Sequence, residues 1–319
     1  MADLLWTAAD GDAGTRLDKF VAHVDRLGSR ARAMEAIDRG KIFVNGEEAQ
    51  ASDAARKLAA GDVVRAWIDR PGSARRRPRT GPSGELDVVF EDDDLIVVNK
   101  PAGILSVPLE RRTDVPSVYE QIETRLRSHG KRRPFVVHRI DQDTSGLVVF
   151  ARHAEAQQRL KVQFARREPE RVYLAVVYGH PDPPSGTWRD TLVWDDKALI
   201  QKETHPRDPR GQEAVSEYYV AETFRGASLL EVRLHTGRRN PIRIQARLRG
   251  HTLVGEERYT YGPEALRPIA FGRQALHAYR LVFAHPRDEQ VLRLEAPLPA
   301  DLEDLLTRLR RQQKQGPSR

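Results

Sequence analysis

The sequence predicts an α+β protein, with a small α/β module followed by a larger domain in which helices pack on a mostly antiparallel β-sheet. Residues 71–84 combine Pro, Gly, Ser and Arg without apolar periodicity, which indicates a basic flexible linker between the two parts. Beyond it, apolar residues at helical spacing, as at Ala156, Leu160 and Phe164, alternate with short β-rich segments. Those segments are separated by turn residues and include 188–194, 217–221 and 229–234.

The composition bounds the class of protein. With 319 residues, of which 39% are hydrophobic, the chain can bury a sizeable core and suits one larger domain plus a small one. The absence of cysteine excludes structural disulfides and thiolate metal sites and fits a reducing compartment. The first residues lack the basic region and apolar core of a secretion signal, and no stretch approaches the ~20 apolar residues of a membrane helix. We therefore expect a soluble, cytoplasmic monomer without membrane contact.

The charge favours an anionic partner. The formal net charge is +7 and the pI about 9.7. A positive surface raises the affinity for polyanions through counterion release, whatever their sequence. Because GC-rich genomes also favour arginine, the positions of the arginines are more informative than their sum.

Residues 1–70 begin with a predicted amphipathic helix. Leu17, Phe20, Val21 and Val24 are spaced to form one apolar helix face, and Thr15 is the candidate N-cap. These residues predict the first helix of a small module.

A second helix is expected from 29 to 40, with arginines on its exposed side. The β-branched run after it ends in Asn45-Gly46, a pair typical of a type I′ hairpin. Residues 63–67 predict a further strand.

This arrangement resembles the S4 RNA-binding domain, together with the phrases Arg-Leu-Asp-Lys at 16–19 and Gly-Lys-Ile-Phe-Val-Asn-Gly at 40–46. The resemblance implies that a basic helix and its adjoining loop lie along RNA phosphates, so that RNA is bound by shape and backbone rather than by base reading. The residues carried over are Arg16, Arg30, Arg32 and Lys41. An ordinary solvated helix face is the alternative for each of them.

The most informative stretch lies between two apolar runs, 135–137 and 147–150, that have the composition of buried strands. His, Arg, two Asp, Thr and Ser crowd into the eight positions from His138 to Ser145, more polar groups than a turn requires. Spacing alone leaves several chemistries open. An Asp-x-Asp after a strand suggests phosphoryl transfer, but His138-Arg139 separates Asp141 from the apolar run. A metal site would need ligands that no nearby spacing completes.

The segment His138-Arg139-Ile140-Asp141-x-x-Thr144-Ser145-Gly146-Leu147 is similar to the signature of the RluA-type pseudouridine synthases, which isomerise uridine in RNA. Further blocks of the family match across nearly all of residues 85–310, including Asn-Lys-Pro-Ala-Gly at 99–103 and Thr-Gly-Arg at 236–238. The resemblance implies a catalytic domain with the pseudouridine synthase fold over 85–310. We expect residues 311–319 to form a disordered tail.

The resemblance also implies roles for individual residues. Asp141 would be the nucleophile, and Arg243 would pair with it and favour its ionised form. Tyr173 would stack near the base and is a candidate for removing a proton.

Two neighbours of the nucleophile are candidates for binding RNA. Arg139 could fill the gap left by a flipped uridine. His138 is counted with it, although turn structure is the simpler role for His138, Asp143, Thr144 and Ser145. The isomerisation changes no oxidation state, so we expect no cofactor and no metal.

Several positions depart from the family pattern. Asn240-Pro241 stands where the family has His-Gln, Gln245 where it has a second His, and Glu256 where it usually has Asp. Asn as cap and Pro at the first helical position still start a helix well. We therefore expect the fold to survive and the RNA contacts of the replaced side chains to be altered.

The preferred function is a synthase acting on 23S ribosomal RNA, since an S4-like module favours a large folded RNA over a tRNA loop. A tRNA-directed synthase is the nearest alternative. The departures at Asn240, Pro241 and Gln245 motivate a second alternative, a catalytically impaired RNA-binding or ribosome-assembly protein. A third, a phosphotransferase using Asp141, predicts a requirement for Mg²⁺.

Overall fold

The computed structural model describes residues 3–38, 41–67, 86–108, 115–127, 133–198, 200–259 and 269–314. The chain divides into two compact units. The first contains Met1–Arg77 together with Lys197–Ile200 and Glu257–Ala265, and the second contains the remainder. The linker predicted at 71–84 lies outside the described residues, so its flexibility stays a prediction. Among the described helices, none is both long enough and apolar enough to cross a membrane.

The first unit packs two helices against a four-stranded antiparallel sheet of order β1-β4-β2-β3. Its elements are β1 Asp3–Thr7, α1 Leu17–Val21, α2 Arg30–Asp38, β2 Ile42–Val44, β3 Glu47–Glu48 and β4 Val63–Trp67, with 3₁₀ turns at Asp10–Asp12 and Ala51–Ala55. Leu17 and Phe20 from α1, Ile37 from α2, and Ile42 and Val64 from the sheet are buried in one core. The helix faces predicted from apolar spacing thus point inward.

The first helix is shorter than predicted. The residue at its N-cap position is Arg16, which makes no side-chain cap bond, so the expected cap by Thr15 is wrong. Because α1 ends at Val21 and the chain then turns, Val24 is 78% exposed and does not join the apolar face. The predicted hairpin is confirmed, since Asn45 and Gly46 have φ of 52° and 82° between β2 and β3.

The second unit is built on an eleven-stranded sheet, and the α+β fold class is confirmed. Nine strands follow the order β11-β10-β12-β13-β9-β14-β8-β6-β5, while β15 pairs with β14 and β7 with β8. Strands β14 and β8 pair in parallel. The pairs β10–β12, β12–β13, β13–β9 and β9–β14 are antiparallel. The strands are β5 Val88–Glu91, β6 Leu95–Lys100, β7 Phe135–Val136, β8 Ser145–Ala151, β9 Glu170–Tyr178, β10 Ser185–Asp195, β11 Ile200–Glu203, β12 Gln212–Phe224, β13 Ala227–Leu234, β14 Leu276–Ala284 and β15 Val291–Glu295.

Helices cover both faces of this sheet. They are α3 Val118–Arg127, α4 Ala154–Arg166, α5 Pro241–Leu248 and α6 Ala300–Lys314. Val148 and Phe150 of β8 pack in the cluster that contains the apolar side of α3, and Leu147 and Val149 pack in the cluster that contains α4. Because both faces are covered, the strand reads as a continuous apolar run rather than an alternating one.

One expectation about the periphery needs correction. The disordered tail was predicted from 311, but α6 continues through Lys314, because Arg, Gln and Lys are good helix formers. In the acidic turn before β6, Asp94 is buried and bonds His153 at 2.8 Å. His153 and Arg287 hold the pKa of Asp94 below its usual range, although burial opposes that shift.

Candidate active site

The site is organised by the loop between β7 and β8, which carries Asp141. Its backbone is fixed on both sides of that residue. The Ser106 hydroxyl donates to the carbonyl of Ile140 at 2.8 Å and accepts from the Ile140 N–H at 3.1 Å. On the other side, Gln142 and Gly103 exchange two hydrogen bonds of 2.9 and 3.0 Å. The loop that follows β6 therefore holds the Asp141 backbone in one position.

Lys100 also fixes this loop, in addition to Ser106 and the Gln142–Gly103 pair. It is fully buried, and its Nζ donates to the carbonyls of Pro101, Ile104 and Gln142 at 2.8 to 2.9 Å. A buried ammonium group is tolerated only when such partners replace water. The cation of Lys100 thus serves the backbone of the site rather than a substrate.

Gly146 is required by strand packing. Its φ is +110°, and a Cβ at this position would lie 2.2 Å from the carbonyl oxygen of Ala278 on β14. Glycine allows β8 to pair closely with β14 directly after the loop. The close approach of β8 to β14 at Gly146 sets the direction of β8 after the Asp141 loop.

Arg243, on α5, brings two distant carboxylates together. Its Nη1 donates to Asp141 Oδ2 at 3.1 Å, while its Nε and Nη2 donate to the two carboxylate oxygens of Glu256 at 2.6 Å each. Arg243 and Glu256 are buried, whereas the side chain of Asp141 remains 27% exposed. The arrangement leaves Asp141 as the accessible carboxylate of the group.

Asn240 contacts Asp141 directly. With its amide nitrogen toward the carboxylate, it donates to Oδ2 at 2.6 Å and to Oδ1 at 2.7 Å. The opposite orientation would set the amide oxygen against two carboxylate oxygens, so the hydrogen-bonding pattern selects this one. Asn240 was expected to cap α5 with its side chain. That expectation is wrong, because the side chain makes no cap bond, although Pro241 does occupy the first turn as predicted.

Tyr173 lies on β9 and packs in the core clusters on either side of the site. Burial raises the pKa of Tyr173, the Arg171 guanidinium opposes that shift, and the Asp141 carboxylate adds to it. The phenol is therefore protonated at neutral pH and is electrostatically coupled to Asp141. The structure thus places Arg243 in contact with Asp141 and Tyr173 within electrostatic range of it, while their catalytic roles stay predictions.

The two residues before Ile140 differ in their surroundings. Arg139 is exposed. His138 accepts a hydrogen bond from the Val149 N–H at 3.1 Å and stacks on Phe164, with ring centroids 4.8 Å apart. Burial, with a smaller contribution from Arg171, lowers the pKa of His138 to about 3, so the imidazole is neutral. These contacts fit the turn-structure role, and RNA binding by His138 and Arg139 stays a prediction.

Gln245 is fully buried behind the site. Its amide accepts from Ser216 Oγ at 2.6 Å and donates to Asp190 Oδ2 at 2.7 Å, which ties α5 to β10 and β12. The side chain that replaces the family's second histidine is therefore part of the scaffold under Arg243.

The basic candidates of the first unit are organised by one buried carboxylate. Asp18 is fully buried and is bonded by Arg16 at 3.0 Å and by Arg30 at 2.9 Å. These hydrogen bonds, that of Arg16 foremost, lower the pKa of Asp18 although burial opposes the shift. Arg32 is exposed on α2, and Lys41 is partly exposed just before β2.

A separate group of metal-ligand types lies at the β5–β6 turn. Oxygen and nitrogen atoms of Asp92, Asp94 and His285 lie within 4.8 Å of one another. Arg287 also reaches Asp94 at 2.7 Å, and His285 bonds Asp92 at 2.7 Å. These cationic and hydrogen-bonding partners already serve the carboxylates, so we assign the group to the turn.

Sequence reasoning missed several members of the site. Lys100 was noted only within a family phrase, and Ser106 was not identified. Asn240 and Glu256 were noted as departures from the family pattern, without the prediction that they would meet Asp141 and Arg243. A lysine two residues after the apolar run 95–98, at the end of the same strand, is the one signal that could have suggested a buried cation.

Comparisons with known proteins find one matching family model and several similar chains. A family model described as RNA pseudouridylate synthase matches residues 94–248. An uncharacterised RNA pseudouridine synthase of Bacillus subtilis, YlyB, is 34% identical over 96% of this chain and 97% of its own length. The Zymomonas mobilis protein named ribosomal large subunit pseudouridine synthase D is 36% identical, covering 93% of this chain and 94% of its own.

Solved structures support the fold. Human RNA pseudouridylate synthase domain containing 4 matches 70% of this chain and 93% of its own, with a TM-score of 0.58 and 20% identity. At that identity the likeness bears on architecture alone. The relatives aligned over nearly the whole length bear on more than architecture, and on their evidence the chain belongs to the RNA pseudouridine synthase family.

Proposed function

We propose that this protein converts specific uridines of 23S ribosomal RNA to pseudouridine, with Asp141 as the nucleophile. The observation that supports this best is the contact of Arg243 with Asp141 at 3.1 Å, in which the arginine is buried and the aspartate remains accessible. The buried cation pairs with the carboxylate that would act as the nucleophile. The clamped backbone on both sides of Asp141 supports a fixed attack position.

The reaction breaks the bond from C1′ of the ribose to N1 of uracil, rotates the base and joins it again through C5. The proton on C5 is lost and N1 gains one, so the oxidation state is unchanged. Asp141 would bond transiently to the sugar or the base, and Arg139 would occupy the gap left by the flipped nucleotide. Because the raised pKa of Tyr173 keeps its hydroxyl protonated, stacking on the base is its better supported role.

The RNA target rests on two supports. Several relatives, including those of Zymomonas mobilis and Vibrio cholerae, bear the name ribosomal large subunit pseudouridine synthase D. The first unit resembles an S4 domain, and Asp18 holds Arg16 and Arg30 side by side, an arrangement suited to phosphates. A tRNA target is the alternative.

The impaired RNA-binding protein is the weaker candidate. It was motivated by the departures at Asn240, Pro241 and Gln245, but Asn240 donates to the proposed nucleophile and Gln245 ties the scaffold beneath it. A protein that only bound RNA would not need those contacts. Membership of the synthase family also removes the phosphotransferase reading.

Position-resolved mapping of pseudouridine in total RNA tests the proposal. The strains compared are wild type, a deletion, and the deletion complemented with wild type, Asp141→Asn or Asp143→Asn. We expect one or a few 23S sites to vanish on deletion and to return with wild type and Asp143→Asn, but not with Asp141→Asn. Asp143 is the matched control because it lies in the same loop and undergoes the same charge change.

The other outcomes are equally informative. Lost sites in tRNA would replace the proposed target while keeping the chemistry. No lost site would contradict the synthase activity, and restoration by Asp141→Asn would contradict the nucleophile.

A further inference from the structure

We infer that Asn240 is a positioning residue that fixes the rotation of the Asp141 carboxylate for attack. The inference rests on the proposed role of Asp141 as nucleophile. Asn240 is buried, and its amide nitrogen lies 2.7 Å from Oδ1 and 2.6 Å from Oδ2 of that carboxylate. These are the shortest hydrogen bonds that reach Asp141 within the described part of the chain.

Arg243 alone would leave the carboxylate able to turn. It reaches Oδ2 through one nitrogen at 3.1 Å, and its other two donor nitrogens bond Glu256. A single contact at one oxygen permits rotation about the Cβ–Cγ bond, whereas contacts at both oxygens fix the carboxylate plane. Asn240 supplies the second point.

The donors are also distributed unequally between the two oxygens. Among the described residues, Oδ2 accepts from both Arg243 and Asn240, whereas Oδ1 accepts from Asn240 alone. Each donor withdraws electron density from the oxygen that it contacts. Oδ1 is therefore the better nucleophile of the pair, and Asn240 is the residue that determines where Oδ1 points.

The backbone explains why asparagine can do this. Asn240 has φ of +51° and ψ of +38° at the N-cap position of α5, a left-handed conformation that Asn, Asp, His and Gly tolerate better than other residues. A capping asparagine normally turns its side chain onto the first N–H groups of the helix. Here the backbone of Asn240 is left-handed and not extended as in an ordinary cap, and the side chain is directed at Asp141 instead.

An amide suits the task electrostatically. It supplies hydrogen-bond donors without a positive charge, so it orients the carboxylate without further neutralising it. Arg243 already provides one cation for the two carboxylates of Asp141 and Glu256. Asn240 thus orients the Asp141 carboxylate, and Arg243 stabilises its charge.

Kinetics of the full-length protein test the inference, with 23S rRNA purified from the deletion strain as substrate. The variants are Asn240→Asp, Asn240→Gly and Asn240→His, all compatible with the left-handed backbone. Asp replaces the donor with a repelling carboxylate, Gly removes the whole side chain without adding charge, and His keeps an N–H donor. The matched control is Asn99→Asp, since the Asn99 amide donates to Asp87 at 2.9 Å on the surface.

We expect Asn240→Gly to lower kcat by about 10- to 100-fold, the loss that one or two charge-assisted hydrogen bonds produce, with KM unchanged. Asn240→Asp should lose more, Asn240→His should retain kcat within about tenfold of wild type, and Asn99→Asp should match wild type. The split between kcat and KM separates positioning from RNA binding, and rescue by histidine separates it from a loss of folding.

Two results would overturn the inference while the proposed function stands. One is a kcat of Asn240→Gly equal to that of wild type, and the other is a histidine variant as impaired as the glycine variant. If wild type and Asn99→Asp form no pseudouridine on this RNA, the proposed function itself fails.

Discussion

Glu256 binds the guanidinium of Arg243 through two hydrogen bonds of 2.6 Å, which are closer than the 3.1 Å contact of Arg243 with Asp141. The cation beside the proposed nucleophile is therefore anchored by a second carboxylate. That carboxylate is buried, so an effect on the proposed reaction would pass through Arg243.

Replacing Glu256 with Gln should destabilise the protein and slow the reaction. The substitution leaves a buried arginine without its main counter-charge, which costs about 3 to 5 kcal/mol of unfolding free energy. Chemical denaturation measures this loss. The control is Glu222→Gln, which breaks a comparable bidentate pair with Arg310 at the surface and should cost at most about 1 kcal/mol. Equal losses in the two variants would contradict the anchoring role of Glu256.

The local part of this architecture could be predicted from sequence. The hairpin at Asn45-Gly46, the apolar face of α4, and the polar loop between β7 and β8 follow from turn chemistry and apolar spacing, which are properties of neighbouring residues. The fold class followed from the same patterns. The extent of α1 was misjudged, because a helical pattern does not reveal that the chain turns before Val24, and the end of α6 was placed too early.

The contacts of the site could not be predicted in the same way. Asp141 and Arg243 are 102 residues apart and were paired through the family resemblance alone. The direction of the Asn240 side chain depends on a left-handed backbone beside Pro241, and no sequence pattern distinguishes it from an ordinary cap. The contacts of Lys100 could not be predicted either, because its partners are backbone carbonyls, which every residue has.

Gly146→Ala should be among the most destabilising single substitutions. The added Cβ would lie 2.2 Å from the Ala278 carbonyl oxygen, and both atoms belong to paired strand backbones that cannot easily separate. We expect a loss of about 3 kcal/mol or more in unfolding free energy. Gly226→Ala is the control, because Gly226 also has positive φ, at 76°, but open space around it.

In Gly226→Ala the unfolding free energy should fall by only about 1 to 2 kcal/mol, which is the cost of an alanine in the left-handed conformation. The excess in Gly146→Ala then measures the clash with β14 together with the greater strain of alanine at φ of +110°. If both variants unfold at the same denaturant concentration, the close approach of β8 and β14 contributes nothing beyond conformation.

Acid should destabilise the fold through His277. Its imidazole is fully buried, with Nδ1 2.9 Å from Ser145 Oγ, and burial lowers the pKa of His277 from 6.5 to about 4. Between these values the unfolded chain binds a proton that the folded protein does not. Stability is therefore complete above about pH 6.5 and is lost as the pH falls toward 4, by up to roughly 3 kcal/mol.

Equilibrium unfolding of wild type and His277→Gln across pH 4 to 8 measures this contribution. The glutamine variant should be less stable at pH 8, because it repacks a buried site, and the gap between the two proteins should narrow as the pH falls. A gap that is constant with pH would show that His277 does not carry the titration.

The first unit offers a test in which charge and geometry predict opposite results. Asp18→Asn raises the net charge by one, so a model based on charge alone predicts tighter RNA binding. Because Asp18 holds both Arg16 and Arg30, we expect the variant to bind 23S rRNA more weakly, although it is more basic. Arg16→Ala and Arg30→Ala should each also reduce the slope of log Kd against log salt concentration by about 1.

Filter binding of the full-length proteins at several salt concentrations distinguishes the two models. Thermal unfolding of Asp18→Asn shows whether the module remains folded, which matters because the carboxylate is buried beneath both arginines. Tighter binding by a folded Asp18→Asn protein would mean that Arg16 and Arg30 contribute through net charge and that their fixed positions do not matter. Weaker binding with a reduced salt slope would mean that a buried carboxylate, which never meets the RNA, sets the geometry of its phosphate contacts.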